Sequence, residues 1–233
     1  MHKNQPLDPE TLVALQRIDT CTLANAIEMF GSRMHNEGYT DASIRCLFPR
    51  LPAMLGYAVT LRIRCSTPPP DGHPYEDRTD WWPQILKTPA PRIVVIQDVD
   101  KHRGAGTFIG EVHANILRAH GCVGVVTDGA VRDVPAVEPL GFHFFAGSVS
   151  VSHAYAHIVD VNEPVEVGGL AVAPGDLLHG DVHGVLSVPR DIAAEIPAAA
   201  AKIIERDRRI IALCQQGTLA PEKLRDAVRE LYK

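Results

Sequence analysis

Three hydrophobic patterns follow one another along the chain. In the first, from Asp8 to Gly31, apolar residues recur at helical spacing: Leu12, Leu15 and Ile18, then Leu23, Ala26 and Ile27. Asp8-Pro9-Glu10 and Asp19-Thr20 stand where a side-chain oxygen accepts from a helix's first free N–H groups, so two helices are predicted, the second ending at Gly31. The second pattern consists of apolar runs of strand length at Met54 to Cys65, Arg92 to Val99, Cys122 to Val126 and Phe142 to Ala146. In the first run Val59, Leu61 and Ile63 alternate with Thr60, Arg62 and Arg64; a helix from Gly110 and a short one from Val134 to Leu140 are predicted between later runs. The third pattern, Ile158 to Val188, is a series of short β segments broken by Asn-Glu-Pro, Gly-Gly, Pro-Gly-Asp and Asp-Val-His-Gly, a spacing that implies antiparallel pairing. Pro189 is predicted to start a long helix with Ile192, Ile196, Ala199, Ile203 and Ile210 as its apolar stripe, and Pro221 a short one through Leu224, Val228 and Leu231. The order predicts an α/β domain over residues 1–233, with its core at about 50–190, N-terminal helices within 8–31 and C-terminal helices within 189–232.

One segment fits none of these patterns. Ser66 to Pro91 carries three consecutive prolines, Asp71-Gly72 and Trp81-Trp82, with one helical turn predicted from Trp82 to Leu86. A connection this long is either a lid or a loop whose tryptophans pack on the body.

Composition removes several function classes. The formal charge of −5, with no basic run, gives no general electrostatic reason to bind nucleic acid. The five cysteines are scattered without a CxxC pair, which reads as reduced thiols in a cytosol. The N-terminal residues lack an apolar signal core and no stretch approaches the roughly 20 apolar residues of a membrane span, so a cytoplasmic location without membrane contact is expected.

The chemistry concentrates between Gly110 and Asp133: a helix start, the strand Cys122 to Val126, a predicted turn at Thr127-Asp128-Gly129, and the pair Arg132-Asp133. Gly104, Gly106 and Gly110 with Asp128 about 20 residues on resemble a dinucleotide fingerprint. Against that, four charged or polar residues separate the strand from the first glycine, and the β-rich second half supplies no further βαβ units. The alternative is a helix start at Gly110 whose free N–H groups hold a carboxylate. Arg132 can grip the same carboxylate in bidentate fashion and Asp133 can hold a hard divalent cation, a combination suited to an α-keto acid. The plain alternative is an exposed Arg-Asp ion pair at a helix start.

The stretches GYAVTL (Gly56 to Leu61), Gly110 to Asp133, and PVEVGGLAVAPGDLLHGDVHGVLSVP (Pro164 to Pro189) together resemble the class II pyruvate aldolase family. That family includes 4-hydroxy-4-methyl-2-oxoglutarate aldolases and the RraA-like regulators of ribonuclease activity. The resemblance implies a compact β/β/α, swivelling-domain-like RraA-like fold, assembled as a homotrimer or homohexamer with sites between subunits. It implies that Arg132 binds the substrate carboxylate, that Asp133 coordinates Mg²⁺ or Mn²⁺, and that Gly110, Glu111, Val112 and His113 line the pocket. Glu111 would neighbour the metal through water and aid proton removal from the 4-hydroxyl as pyruvate enolate forms. The implied activity is metal-dependent cleavage of a C–C bond in a 2-oxo acid, by retro-aldol reaction or oxaloacetate decarboxylation, giving pyruvate.

The chain departs from this family pattern at two places. Ala136 stands where family aldolases carry a further acid, Glu138 coming two residues later, and the late motif reads His179-Gly180-Asp181-Val182-His183. Asp128, His179, Asp181 and His183 are therefore candidates for an outer layer around the metal, with a simple turn or structural role open for each. An acid from a neighbouring subunit would fall near Glu205 or Asp207. Two other functions stay in view: a non-enzymatic regulator binding ribonuclease E or a helicase, and a lyase or hydratase acting on another hydroxy acid. No adenosyl-binding arrangement supports a methyltransferase.

Overall fold

The computed structural model of the chain describes residues 5–70, 79, 81–217 and 220–232. Both predicted helix caps form: Thr11 N–H donates to Asp8 Oδ1 at 2.8 Å and Thr22 N–H to Asp19 Oδ1 at 2.9 Å. They open α1 (Pro9–Gln16) and α2 (Thr20–Glu28), each cap stabilising its helix by about 1 kcal/mol.

The chain then lays down β1 (Arg45–Cys46), β2 (Met54–Arg64), α3 (Trp82–Ile85), β3 (Arg92–Asp98), β4 (Thr107–Ile109), α4 (Glu111–Ala119), β5 (Cys122–Val131), α5 (Val134–Val137) and β6 (His143–Val149). The β-rich part follows as β7 (His157–Val161), β8 (Val165–Val167), β9 (Leu170–Val172), β10 (Leu177–Asp181) and β11 (Gly184–Val188), and the chain closes with α6 (Ile196–Gln215) and α7 (Pro221–Leu231). One nine-stranded sheet runs β1-β6-β5-β3-β2-β10-β11, with β4 added beside β5 and β7 beside β2. Its centre, β2, β3, β5 and β6, is parallel; β10, β11 and β7 join antiparallel, as the close turn spacing predicted.

The central strands are buried on both faces, which is why they read as near-continuous apolar runs. One face presents Val59, Leu61, Val94, Ile96, Val125 and Phe144 to Ala114 and Leu117 of α4. The same face of β2, nearer its start, presents Leu55 and Tyr57 to α1, α2 and α6. The opposite face presents Ala58, Ile93, Val95, Val126 and Phe145 to the β8–β9 hairpin.

Two expectations fail here. Thr127-Asp128-Gly129 is not a turn: β5 runs on to Val131, its register against β6 shifting between Thr127 and Ala130, while the Asp128 carboxylate accepts the Asp98 N–H at 2.7 Å. A bulge absorbs what looked like turn residues. The long C-terminal helix starts at Ile196, not Pro189, because the intervening residues form turns and Pro197 lies in its first turn. In the long connection, Trp81 and Trp82 pack on the body, their rings 6.1 Å from Phe108 and 6.0 Å from His120. Residues 71–78 and 80, where a lid would lie, fall outside the described residues. Among the described residues no helix is long and apolar enough to cross a membrane.

Candidate active site

The carboxyl ends of β2, β3, β5 and β6 share one rim of the sheet, and α4 begins on it. Arg132 leaves β5 with its N–H donated to the Ile109 carbonyl at 3.1 Å, which ties the residue after the strand to the residue before Gly110. Asp133 then takes the left-handed conformation, φ 55°. That bend turns its carboxylate back: Oδ2 accepts the Glu111 N–H at 3.1 Å and lies 3.4 Å from Arg132 Nε. The predicted meeting of the Gly110 helix start with Arg132-Asp133 is therefore present, with one difference. The Glu111 amide, expected to be open to a ligand, is engaged by Asp133.

Gly110 is required by this packing. A Cβ there would stand 2.4 Å from Asp133 Oδ2 and 3.0 Å from Arg132 Cγ. Ala114 N–H to the Gly110 carbonyl is the first intrahelical bond, so the Val112 amide precedes the ladder at the dipole's positive end. Arg132 Nε is buried and without hydrogen-bond geometry to any partner among the described residues, and its side chain is 31% exposed. Asp133 Oδ1 takes part in no hydrogen bond among the described residues, and that side chain is 38% exposed. A positive fork and an open carboxylate oxygen thus sit side by side.

Two imidazoles belong to the same neighbourhood. His113 stacks at a tilt on Phe108, ring centroids 4.9 Å apart, and burial pushes its pKa down to about 4, with His153 and Arg132 adding to the effect. His153 was not anticipated. It lies between β6 and β7, where Ser150 N–H donates to the Val131 carbonyl and Thr107 N–H to the Ser152 carbonyl, so the segment is pinned beside the ends of β5 and β4. Burial and Arg132 hold His153 below the ordinary histidine range, against the pull of Asp133. Its sequence distance from Arg132 hides this proximity; the β5–β6 pairing creates it.

A second acidic cluster occupies the same rim. Cys65, Asp98 and Asp100 bring three potential ligand atoms within 4.8 Å of one another, a spacing that could hold a metal ion. Their acceptors are already engaged: Asp100 takes the N–H groups of Cys65 and Ser66 and the Ser66 hydroxyl, while Asp98 takes those of Asp100 and Gly104. Burial pushes the Cys65 thiol up to about 12, and a neutral thiol is a poor partner for Mg²⁺ or Mn²⁺. Asp128 joins this cluster, its Oδ2 3.2 Å from Arg103 Nη1; burial raises its pKa to about 6. The cluster straps the Asp100–Gly106 loop to the sheet. With Gly104 N–H given to a buried acid, that loop offers no phosphate cradle, and the dinucleotide reading falls.

The late histidines are elsewhere. Gly180 of β10 pairs with Met54, the first residue of β2, so this segment lies at the opposite end of the parallel strands from Arg132. There Asp181 Oδ2 accepts the Thr20 N–H at 2.8 Å, its Oδ1 accepts from His183, and buried His179 meets Thr20 Oγ1 at 3.0 Å. His179, Asp181 and His183 dock α2 onto β10 and do not surround Asp133 within this chain. A groove of about 670 Å³ between α1, the start of α2 and Pro52-Ala53 opens at that end too. At the rim, by contrast, Arg132 Nε has no hydrogen-bond partner among the described residues. Ala136 donates its N–H to the Asp133 carbonyl, and Glu138 is exposed. Glu205 and Asp207 lie on α6 in ion pairs with Arg209 and Arg206, on the helix that packs against α2.

A family model described as RraA-like (Aldolase/RraA) matches residues 20–187. A Halalkalibacterium halodurans protein provisionally named 4-hydroxy-4-methyl-2-oxoglutarate aldolase is 34% identical over 87 residues, 37% of this chain and 40% of that relative's length. An uncharacterized Methanocaldococcus jannaschii protein is 28% identical over 75% of this chain and 77% of its own. Among solved structures, Streptomyces coelicolor RraAS2, described as an unusual member of the RNase ES inhibitor RraA family, superposes with a TM-score of 0.68 at 24% identity, covering 88% of this chain and 96% of that one.

Proposed function

The chain belongs to the RraA-like (Aldolase/RraA) family, and within it we propose a divalent-metal-dependent lyase that cleaves a C–C bond of a 2-oxo acid to release pyruvate. The observation that carries this reading is the Arg132 guanidinium, ion-paired with Asp133 at 3.4 Å but without a hydrogen-bond partner for its buried Nε among the described residues, beside an open Asp133 oxygen at the start of α4. Arg132 binds the substrate carboxylate in bidentate fashion, and the Val112 amide adds a donor at the helix start. Asp133, through Oδ1, would hold Mg²⁺ or Mn²⁺. A single half-exposed carboxylate fits a hard cation that keeps most of its waters. When bound, such an ion withdraws electron density from the substrate's keto oxygen. Glu111, exposed one residue into the helix, assists removal of the proton from the 4-hydroxyl. Val112, Val149, Val151 and Tyr155 are exposed around this rim, which supports a homotrimer or homohexamer with sites between copies.

The test is pyruvate release from oxaloacetate and 4-hydroxy-2-oxo acids, with and without chelator. Activity should vanish with chelator and return with Mn²⁺, and Asp133→Asn should lower kcat/KM by about 10²-fold or more without lowering the melting temperature. Wild-type activity in Asp133→Asn overturns the metal role. The likeness to the Streptomyces protein raises the regulator reading, which predicts no pyruvate from any substrate and a metal-independent complex with ribonuclease E or a helicase.

A further inference from the structure

Asp133 is the N-cap residue of α5, yet its carboxylate makes no bond to that helix. It crosses instead to α4, whose own N-cap, Gly110, has no side chain to offer, and there Oδ2 accepts the Glu111 N–H at 3.1 Å. Two backbone features allow the crossing. Residue 133 is left-handed, with φ 55°, and residue 110 lacks a Cβ, which would stand 2.4 Å from Oδ2 and 3.2 Å from Arg132 Nε. The same Oδ2 lies 3.4 Å from the buried Arg132 Nε. A carboxylate oxygen of the chain itself therefore sits on an amide at the positive end of a helix and beside a guanidinium, the two donor types that recognise a carboxylate ligand.

A substrate carboxylate seated on Arg132 and the start of α4 meets these same groups, with the Asp133 charge beside them. We propose that Asp133 is an internal competitor for the carboxylate subsite, and that a carboxylate ligand enters it only once the charge on Asp133 is neutralised. The Asp133–Arg132 pair is part-exposed and holds weakly by itself. Repulsion is the larger effect: two carboxylates in contact at a protein surface cost the incoming one about tenfold or more in affinity. The donors themselves need no rearrangement. Arg132 N–H is tied to the Ile109 carbonyl at 3.1 Å and the α4 ladder begins at the Gly110 carbonyl, so only the side chain at 133 decides access. Asp133 Oδ1 makes no hydrogen bond among the described residues, and a cation held there cancels the charge while Oδ2 keeps its place on α4.

This inference rests on the lyase reading for the identity of the subsite, and a binding experiment under chelation separates the two. Pyruvate is titrated into the full chain in excess EDTA, and binding is read from chemical shifts and from the melting temperature, so that neither turnover nor a cation enters. Asp133→Asn keeps the shape of the side chain and removes its charge. Asp133→Gly suits a φ of 55° and removes the carboxylate altogether, so a gain shared by both variants does not come from the asparagine amide. Each should bind pyruvate about tenfold or more tighter than the wild type does, and adding Arg132→Gln to either should abolish the gain. Equal affinity in the wild type and in whichever Asp133 variants fold, a gain that survives Arg132→Gln, or no pyruvate binding by any of them overturns this inference. The lyase reading is tested apart from it, by Mn²⁺-dependent pyruvate release from the wild type. A tenfold gain in the variants without such release overturns the lyase reading alone.

Discussion

The two ends of the parallel strands carry similar residues and do opposite things with them. At the amino end, His179, Asp181 and His183 meet the start of α2; at the carboxyl end, His113, His153 and Asp133 meet the start of α4. Asp181 has both oxygens occupied, by Thr20 and His183, and so works as a fastener. Asp133 has one occupied, and the neighbouring Arg132 has no hydrogen-bonded partner among the described residues. Residue type does not separate fastener from site; the number of hydrogen-bonding valences left open does.

The sharpest way to break this comparison is to remove one polar group from each end. Arg132→Gln should cost about 10²- to 10³-fold in kcat/KM with little loss of stability, since its guanidinium makes only a part-exposed ion pair with Asp133 and its buried Nε has no hydrogen-bond partner among the described residues. Asp181→Asn should show the reverse, a lower denaturation midpoint with unchanged kcat per folded molecule. Equal activity losses in the two would dissolve the distinction.

Next in size is a pH effect at the amino end. Burial lowers the His179 pKa from 6.5 to about 4, with Asp181 opposing. The unfolded chain therefore takes up a proton first as pH falls, so this contribution is fully present above pH 6.5 and is lost between 6.5 and about 4. The loss is on the order of 3 kcal/mol. Urea midpoints of wild type and His179→Gln should converge over that window; parallel curves would remove His179 from the account. Smaller still, Gly110→Ala should lower kcat/KM about tenfold by pushing the Asp133 carboxylate aside, without unfolding the chain, read by kinetics beside a thermal melt.

The sequence discloses elements whose determinants are local. Asp8 and Asp19 cap within three residues, and the β-rich second half is punctuated by its own turns. It misleads where a distant partner decides. Asp128 looks like a turn residue until the Asp98 N–H and Arg103 are seen holding it inside a strand. His179 and His183 look like members of a metal motif until pairing with β2 puts them at the other end of the sheet. Arg132, Asp133 and Gly110 were legible because one helix and one strand join them, 22 residues separating Glu111 from its acceptor. His153 was not, because it arrives through the next strand. Asp98, at a strand's carboxyl end, carried a readable signal that went unused.

Asp133 sits at φ 55°, a backbone geometry that glycine adopts freely and a side chain with a Cβ does not. Substituting glycine at this one position would relax the chain by about 1 kcal/mol and delete the carboxylate together with the bond it offers α4. Selection for thermal robustness alone would therefore pull toward Asp133→Gly, and selection for turnover would pull back. Residue 133 is a place where a directed-evolution campaign scored only on folding would quietly erase the carboxylate on which the proposed chemistry depends.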